Sequence, residues 1–103
     1  MRIFVKFAIF DTITRDEDLG SVRQAFGKQF AQLQASGKLL EGAVFADTRG
    51  GFLLLDVTSP TELNELLGSA ILDHCHVETH VAMSLEELRQ RFQKQGAADA
   101  PSA

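Results

Sequence analysis

Residues 39–58 hold the reading that decides the fold: Leu39-Leu40-Glu41-Gly42-Ala43-Val44-Phe45-Ala46-Asp47-Thr48-Arg49-Gly50-Gly51-Phe52-Leu53-Leu54-Leu55-Asp56-Val57-Thr58. Two strand-like runs, Leu39 to Asp47 and Gly51 to Thr58, flank Asp47-Thr48-Arg49-Gly50, which carries the turn chemistry of a hairpin loop. Phe52-Leu53-Leu54-Leu55 is apolar at consecutive positions. Both faces of that strand therefore need cover, which predicts a central place in a sheet.

On the N-terminal side, Gly37 stands where a helix C-cap belongs. Before it Leu19, Val22, Phe26, Phe30 and Leu33 recur at helical spacing. Thr14 with Glu17 offers a capping box for this helix, with Asp16 as a competing N-cap. Met1 to Phe10 alternates with strand period, Ile3, Val5, Phe7 and Ile9 on one face and Arg2, Phe4, Lys6 and Ala8 on the other.

On the C-terminal side, Ser59-Pro60-Thr61-Glu62 combines an N-cap Ser, a Pro at the first helical position and the Glu of a capping box. Leu63, Leu66, Leu67, Ala70 and Ile71 mark a short amphipathic helix. His74 to Met83 alternates as a fourth strand, and Ser84-Leu85-Glu86-Glu87 opens a last helix with Leu85, Leu88 and Phe92 on one side. The order β-α-β-β-α-β is the split βαβ of an α+β, ferredoxin-like fold with an added C-terminal helix. It forms a single domain over residues 1–96, and 97–103 read as a disordered tail. Right-handed crossovers put strands one and three at the centre and both main helices on the face of Ile3, Val5, Phe7 and Ile9.

The composition agrees with one soluble domain: 103 residues, 45% apolar, 23% charged, with a net charge of −4. That charge gives no general attraction to nucleic acid or to an anionic membrane, and no apolar run is long enough to span a bilayer. The lone Cys75 cannot form an internal disulfide, which suits the reducing cytoplasm. No nucleotide or phosphate motif calls for a cofactor, and Gly50-Gly51 serves the hairpin.

The uncovered sheet face carries Phe4, Ala8 and either Phe52 with Leu54 or Leu53 with Leu55. A contiguous apolar patch of that kind marks an interface. Burying each Phe is worth roughly 1.5–3 kcal/mol, so a second subunit packed sheet to sheet is expected. The result is a dimeric α+β barrel, a homodimer or higher homo-oligomer. A C-terminal helix folded across the sheet is the competing way to cover the patch.

Met1-Arg2-Ile3-Phe4-Val5-Lys6-Phe7, with its Val-Lys pair, resembles the opening strand of muconolactone isomerases. Asp56-Val57-Thr58-Ser59, followed by Leu63 and Leu67, is similar to their third strand and second helix. The resemblance runs from Met1 to about Val81 and departs after Ile71, where Leu72-Asp73-His74-Cys75-His76 replaces a Pro- and aromatic-containing lead. It implies a cofactor-free assembly with pockets near subunit contacts, one that moves a proton in an unsaturated lactone or related small carbonyl compound. Lys6 matches the lysine of that family's first strand.

All three histidines fall in one segment. Strand period places His74, His76, Glu78 and His80 on one face, while Cys75 turns to the core as a small hydrophobe. With Arg2, Phe4 and Lys6 they make a half-apolar surface holding bases, an acid and cations. Three readings compete for it. In the first, Glu78 or His76 shuttles a proton and Lys6 steadies an oxyanion. Phe4 and Phe52 then wall the substrate, which Arg2 and His80 help to bind. In the second, His76 and His80, with His74 or Glu78, hold a divalent metal. In the third, the face is a solvated edge whose charges discourage stray pairing. A non-catalytic homodimeric module that binds a small ligand or a metal is the alternative to an isomerase.

Overall fold

A computed structural model describes residues 1–98, with side chains through residue 95. The elements run β1 (Arg2–Ile9), α1 (Asp16–Ser36), β2 (Leu39–Val44), β3 (Gly50–Asp56), α2 (Pro60–Leu72), β4 (Cys75–Ala82) and α3 (Leu85–Ala98). The strands form one sheet in the order β2-β3-β1-β4, antiparallel at each junction. This is a small α+β fold with β1 and β3 central, as the double-faced apolar run at Phe52 predicts.

Alternation sets the faces. Ile3, Val5 and Phe7 of β1 and Leu53 and Leu55 of β3 are buried, together with Val22, Phe26 and Leu33 of α1 and Leu67, Ala70 and Ile71 of α2. Phe7 lies edge-on to Phe26, with centroids 6.0 Å apart. The open face therefore takes Phe52 and Leu54, resolving the alternative that sequence left.

Sequence places several ends differently. Arg15, not Thr14 or Asp16, is the N-cap residue of α1, and no side chain caps it; Asp16, Glu17 and Asp18 supply only negative charge to the first turn. Gly37 closes α1 in the left-handed region at φ 73°. Ser59 Oγ accepts from the Glu62 N–H at 3.1 Å, as its motif predicts. Glu62 answers at the Thr58 N–H rather than at the N-cap residue itself. Strands β2, β3 and β4 are each shorter than their apolar patterns, and Gly50 belongs to β3 rather than to the turn. A side chain at Gly51 would meet the Ala43 carbonyl at 2.4 Å, so glycine there lets β2 and β3 close. Helix α3 continues through Ala97 and Ala98, two residues past its expected end near Gly96. Of the predicted tail, positions 99–103 lie outside the described residues.

Helix α2 is broken at Gly68, whose backbone sits at φ 66° and ψ 173°. The Gln29 amide of α1 reaches across and donates to the freed Leu66 carbonyl at 2.5 Å. Among the described residues helix α3 makes no substantial contact with any other element, and Leu85 is 84% exposed. It does not fold across the sheet, so the patch stays open in the single chain. No helix among the described residues is long and apolar enough to cross a membrane.

Candidate functional site

The open face is a set of rungs fixed by strand register. Glu41, Leu54, Phe4 and His80 form one rung across β2, β3, β1 and β4. Ala43, Phe52, Lys6 and Glu78 form the next, and Gly50, Ala8 and His76 the third. Polarity changes across these rungs, from apolar on the β3 side to ionisable on β4, with Lys6 at the boundary.

Phe4 and Phe52 stack at 5.6 Å with a 20° interplanar angle, so the two expected pocket walls are one aromatic surface. His80 packs beside Phe4 at 6.4 Å, and its Nε2 lies 3.1 Å from Glu78 Oε2. Glu78 takes His80 as its ion-pair partner, whereas Lys6 joins no salt bridge among the described residues. Lys6 and Glu78, although opposite each other, form no ion pair. Lys6, Ala8, His76 and Glu78 line an open depression of about 310 Å³. In the single chain this surface is wet: the Glu78 and His80 side chains are 65% and 63% exposed.

Not every expected residue joins it. Arg2 lies at the far end of β1, opposite Ala82, with its guanidinium 4.0 Å from Glu87 of α3. His74 precedes β4, and its Nδ1 is 2.8 Å from the Ala70 carbonyl at the end of α2. The metal set of His74, His76 and His80 is thereby dispersed. Among the described residues no three His, Cys, Asp or Glu side chains gather closely enough to hold a metal.

Phe10 is the residue sequence passed over. Its ring meets that of His76 edge-on at 4.6 Å. The signal was present, since Phe10 continues the even-numbered series of Phe4, Lys6 and Ala8. Cys75 is buried, and desolvation pushes its thiol up to about 11, which keeps it neutral and unreactive.

A second concavity is more apolar but lies on the other face of the sheet. It is a groove of about 160 Å³ between α1 and β2, lined by Phe7, Phe30, Leu39, Val44 and Leu53. It holds no acid or base, so the chemistry belongs to the rungs. Comparison with known proteins finds no matching family model and no matching curated protein.

Proposed function

We propose that two chains of the ferredoxin-like type pack open face to open face as an α+β barrel, and that the enclosed rungs transfer a proton within a small unsaturated carbonyl compound. One observation carries the reading. Register sets Lys6 opposite Glu78, beside an aromatic wall, and among the described residues the Lys6 ammonium pairs with no carboxylate. The likeness of the first strand to muconolactone isomerases supports an unsaturated lactone as substrate.

The reaction follows from the residues. Glu78 accepts a proton from the carbon next to the conjugated carbonyl system, and the electron pair moves onto oxygen as a dienolate. The Lys6 ammonium stabilises that oxyanion. Protonated Glu78 returns the proton two carbons away, so the double bond migrates with no net redox change. His80 orients the Glu78 carboxylate, and His76 is the alternative shuttle one rung along. Packing a second sheet over the face removes water and strengthens each of these interactions.

Turnover of unsaturated γ-lactones, followed by ultraviolet absorbance and by deuterium uptake from solvent, tests the assignment. Glu78→Gln and Lys6→Met should each lower kcat by about 10²–10⁴-fold. Unchanged rates in these variants and in His76→Ala reject it. Saturable binding of such lactones without turnover favours the second reading, a non-catalytic ligand-binding homodimer. That reading draws on the high exposure of Glu78 and His80 in the single chain.

A further inference from the structure

Arg23, Phe26, Phe30 and Gln34 stand at spacings of three and four on α1 and form one stripe along it. Opposite that stripe run β2 and the hairpin loop 45–49, with a trough between. The trough has two parts that share Phe7 and Val44 as walls. One is the apolar groove of about 160 Å³, and the other is a hollow of about 220 Å³ toward the loop. We propose that this trough binds a small carboxylate carrying an apolar chain, its head at Arg23 and Arg49 and its chain along Phe30, Leu39 and Leu53.

Charge selects the anion. Arg23, Thr48 and Arg49 line the hollow beside Phe26 and Phe45, and no carboxylate lines either part. This arises in a chain with 14 acidic against 10 basic residues, where Arg2, Arg15 and Arg89 each meet a carboxylate. Among the described residues Arg23 and Arg49 join no salt bridge. A guanidinium keeps its charge at any ordinary pH, and its fork matches carboxylate geometry. Arg49 is moreover held at two points. Its carbonyl accepts from the Ile9 N–H at 2.8 Å, and its Nη1 donates to the Ile13 carbonyl at 2.7 Å. The Phe45 N–H closes the loop on the Gly50 carbonyl, also at 2.8 Å. The half-buried Arg49 thus meets an anion already positioned, with most of its five N–H donors unspent among the described residues.

Shape and polarity select the chain. From Arg23 to Gln34 the helix rises about 16 Å, so a head at one end leaves room for a chain of medium length. Beyond Val44 the walls are Phe30, Leu39 and Leu53, and the uncharged Gln34 stands at the far end. A second charge on the ligand would be desolvated there without a partner, which favours a monocarboxylate. The two volumes together reach the range of small-ligand pockets, about 300–1,000 Å³. The trough lies on the helix side of the sheet, away from Lys6, Glu78 and His80, so its occupancy is independent of proton transfer on the open face.

Decanoate is the probe, titrated below its micelle concentration into the full chain by calorimetry and located by NMR. One decanoate per chain should bind saturably and move the methyl signals of Leu39, Val44 and Leu53, while the imidazole signals of His76 and His80 stay in place. Arg23→Gln, at an exposed position, and Arg49→Gln should each raise the dissociation constant at least about tenfold, and decanol should bind at least about tenfold more weakly than decanoate. Val44→Asp, at a site 67% exposed where the two parts meet, should weaken decanoate as much while leaving both arginines untouched. Circular dichroism confirms that each variant is folded. Binding that does not saturate, equal affinity for decanol, or affinity unchanged in Arg23→Gln and Val44→Asp overturns the proposal. Shifts at His76 and His80 with unmoved methyl signals put the acid on the open face and overturn it as well.

Discussion

Replacing Gly68 with alanine tests the break in α2 at a single atom. The backbone there sits at φ 66° and ψ 173°, a region essentially restricted to glycine, and a side chain held in it costs about 1–3 kcal/mol. The added Cβ would lie 2.5 Å from Gln29 Oε1 and 2.8 Å from its Cδ. The amide is the far end of a flexible side chain, so it swings away cheaply. In doing so it gives up the bond from Nε2 to the Leu66 carbonyl. Leaving that half-buried carbonyl unpaired adds about 1 kcal/mol. The total is on the order of 3 kcal/mol, which lowers Tm by about 12–24 °C in a domain of this size. Urea unfolding followed by far-ultraviolet circular dichroism measures it, at one fixed protein concentration so that association cancels. Gln29→Ala alone should cost about 1 kcal/mol. The double variant should be less destabilised than the sum by roughly that amount, because both changes remove the same bond. A Gly68→Ala protein within about 0.5 kcal/mol of wild type refutes the backbone argument. Strict additivity with Gln29→Ala refutes the role given to the amide.

Phe7→Ala, at a site 2% exposed and packed on Phe26 and Phe30, should lose about 3–5 kcal/mol by the same assay. Ser59→Ala should lose about 1 kcal/mol by removing the cap of α2, and an unchanged midpoint would deny the cap any energetic role. Burial raises the Cys75 thiol from 9.0 to about 11, so between those values the unfolded chain loses a proton that the native state keeps. Stability should fall as pH rises through that window, and Cys75→Ala should remove that component of the slope. Phe4→Asp puts a charge in the middle of the open face and should convert the assembly to folded monomers, read by sedimentation together with circular dichroism.

The sheet was legible because β1 alternates cleanly and β3 is apolar on both faces, and these two patterns suffice to fix the centre. The cap at Ser59 was legible because its chemistry is local. The failures have two physical causes: a local contact that competes with the strand pattern, as at His74, and a partner far along the chain, as at Gly68. Alternation through His74 continues the strand pattern, and the His74 carbonyl does accept from Phe10 N–H, yet the ring turns back to Ala70. Gly68 sits inside a Leu-rich helical pattern, and the side chain that makes the break tolerable is 37 residues away from Leu66. The face of Lys6, Glu78 and His80 was readable from period, and their cross-strand register supplied what period cannot: which residue stands opposite which. The stripe of α3 was equally plain, and Leu85 and Phe92 on it stay exposed in the single chain.

The three imidazoles occupy three chemically distinct settings, and this gives the chain a built-in set of spectroscopic reporters. A carbonyl can only accept, so the Ala70 oxygen fixes a proton on His74 Nδ1 and defines its tautomer for nitrogen NMR. The edge-on ring of Phe10 at 4.6 Å imposes a ring-current displacement on the carbon-bound protons of His76. His80 shares its Nε2 with a carboxylate and reports on whatever approaches Glu78. Because the sequence contains neither Trp nor Tyr, only phenylalanine competes in that part of the proton spectrum. A ligand entering the open face should shift His76 and His80 while His74, anchored at the end of α2, serves as the internal reference.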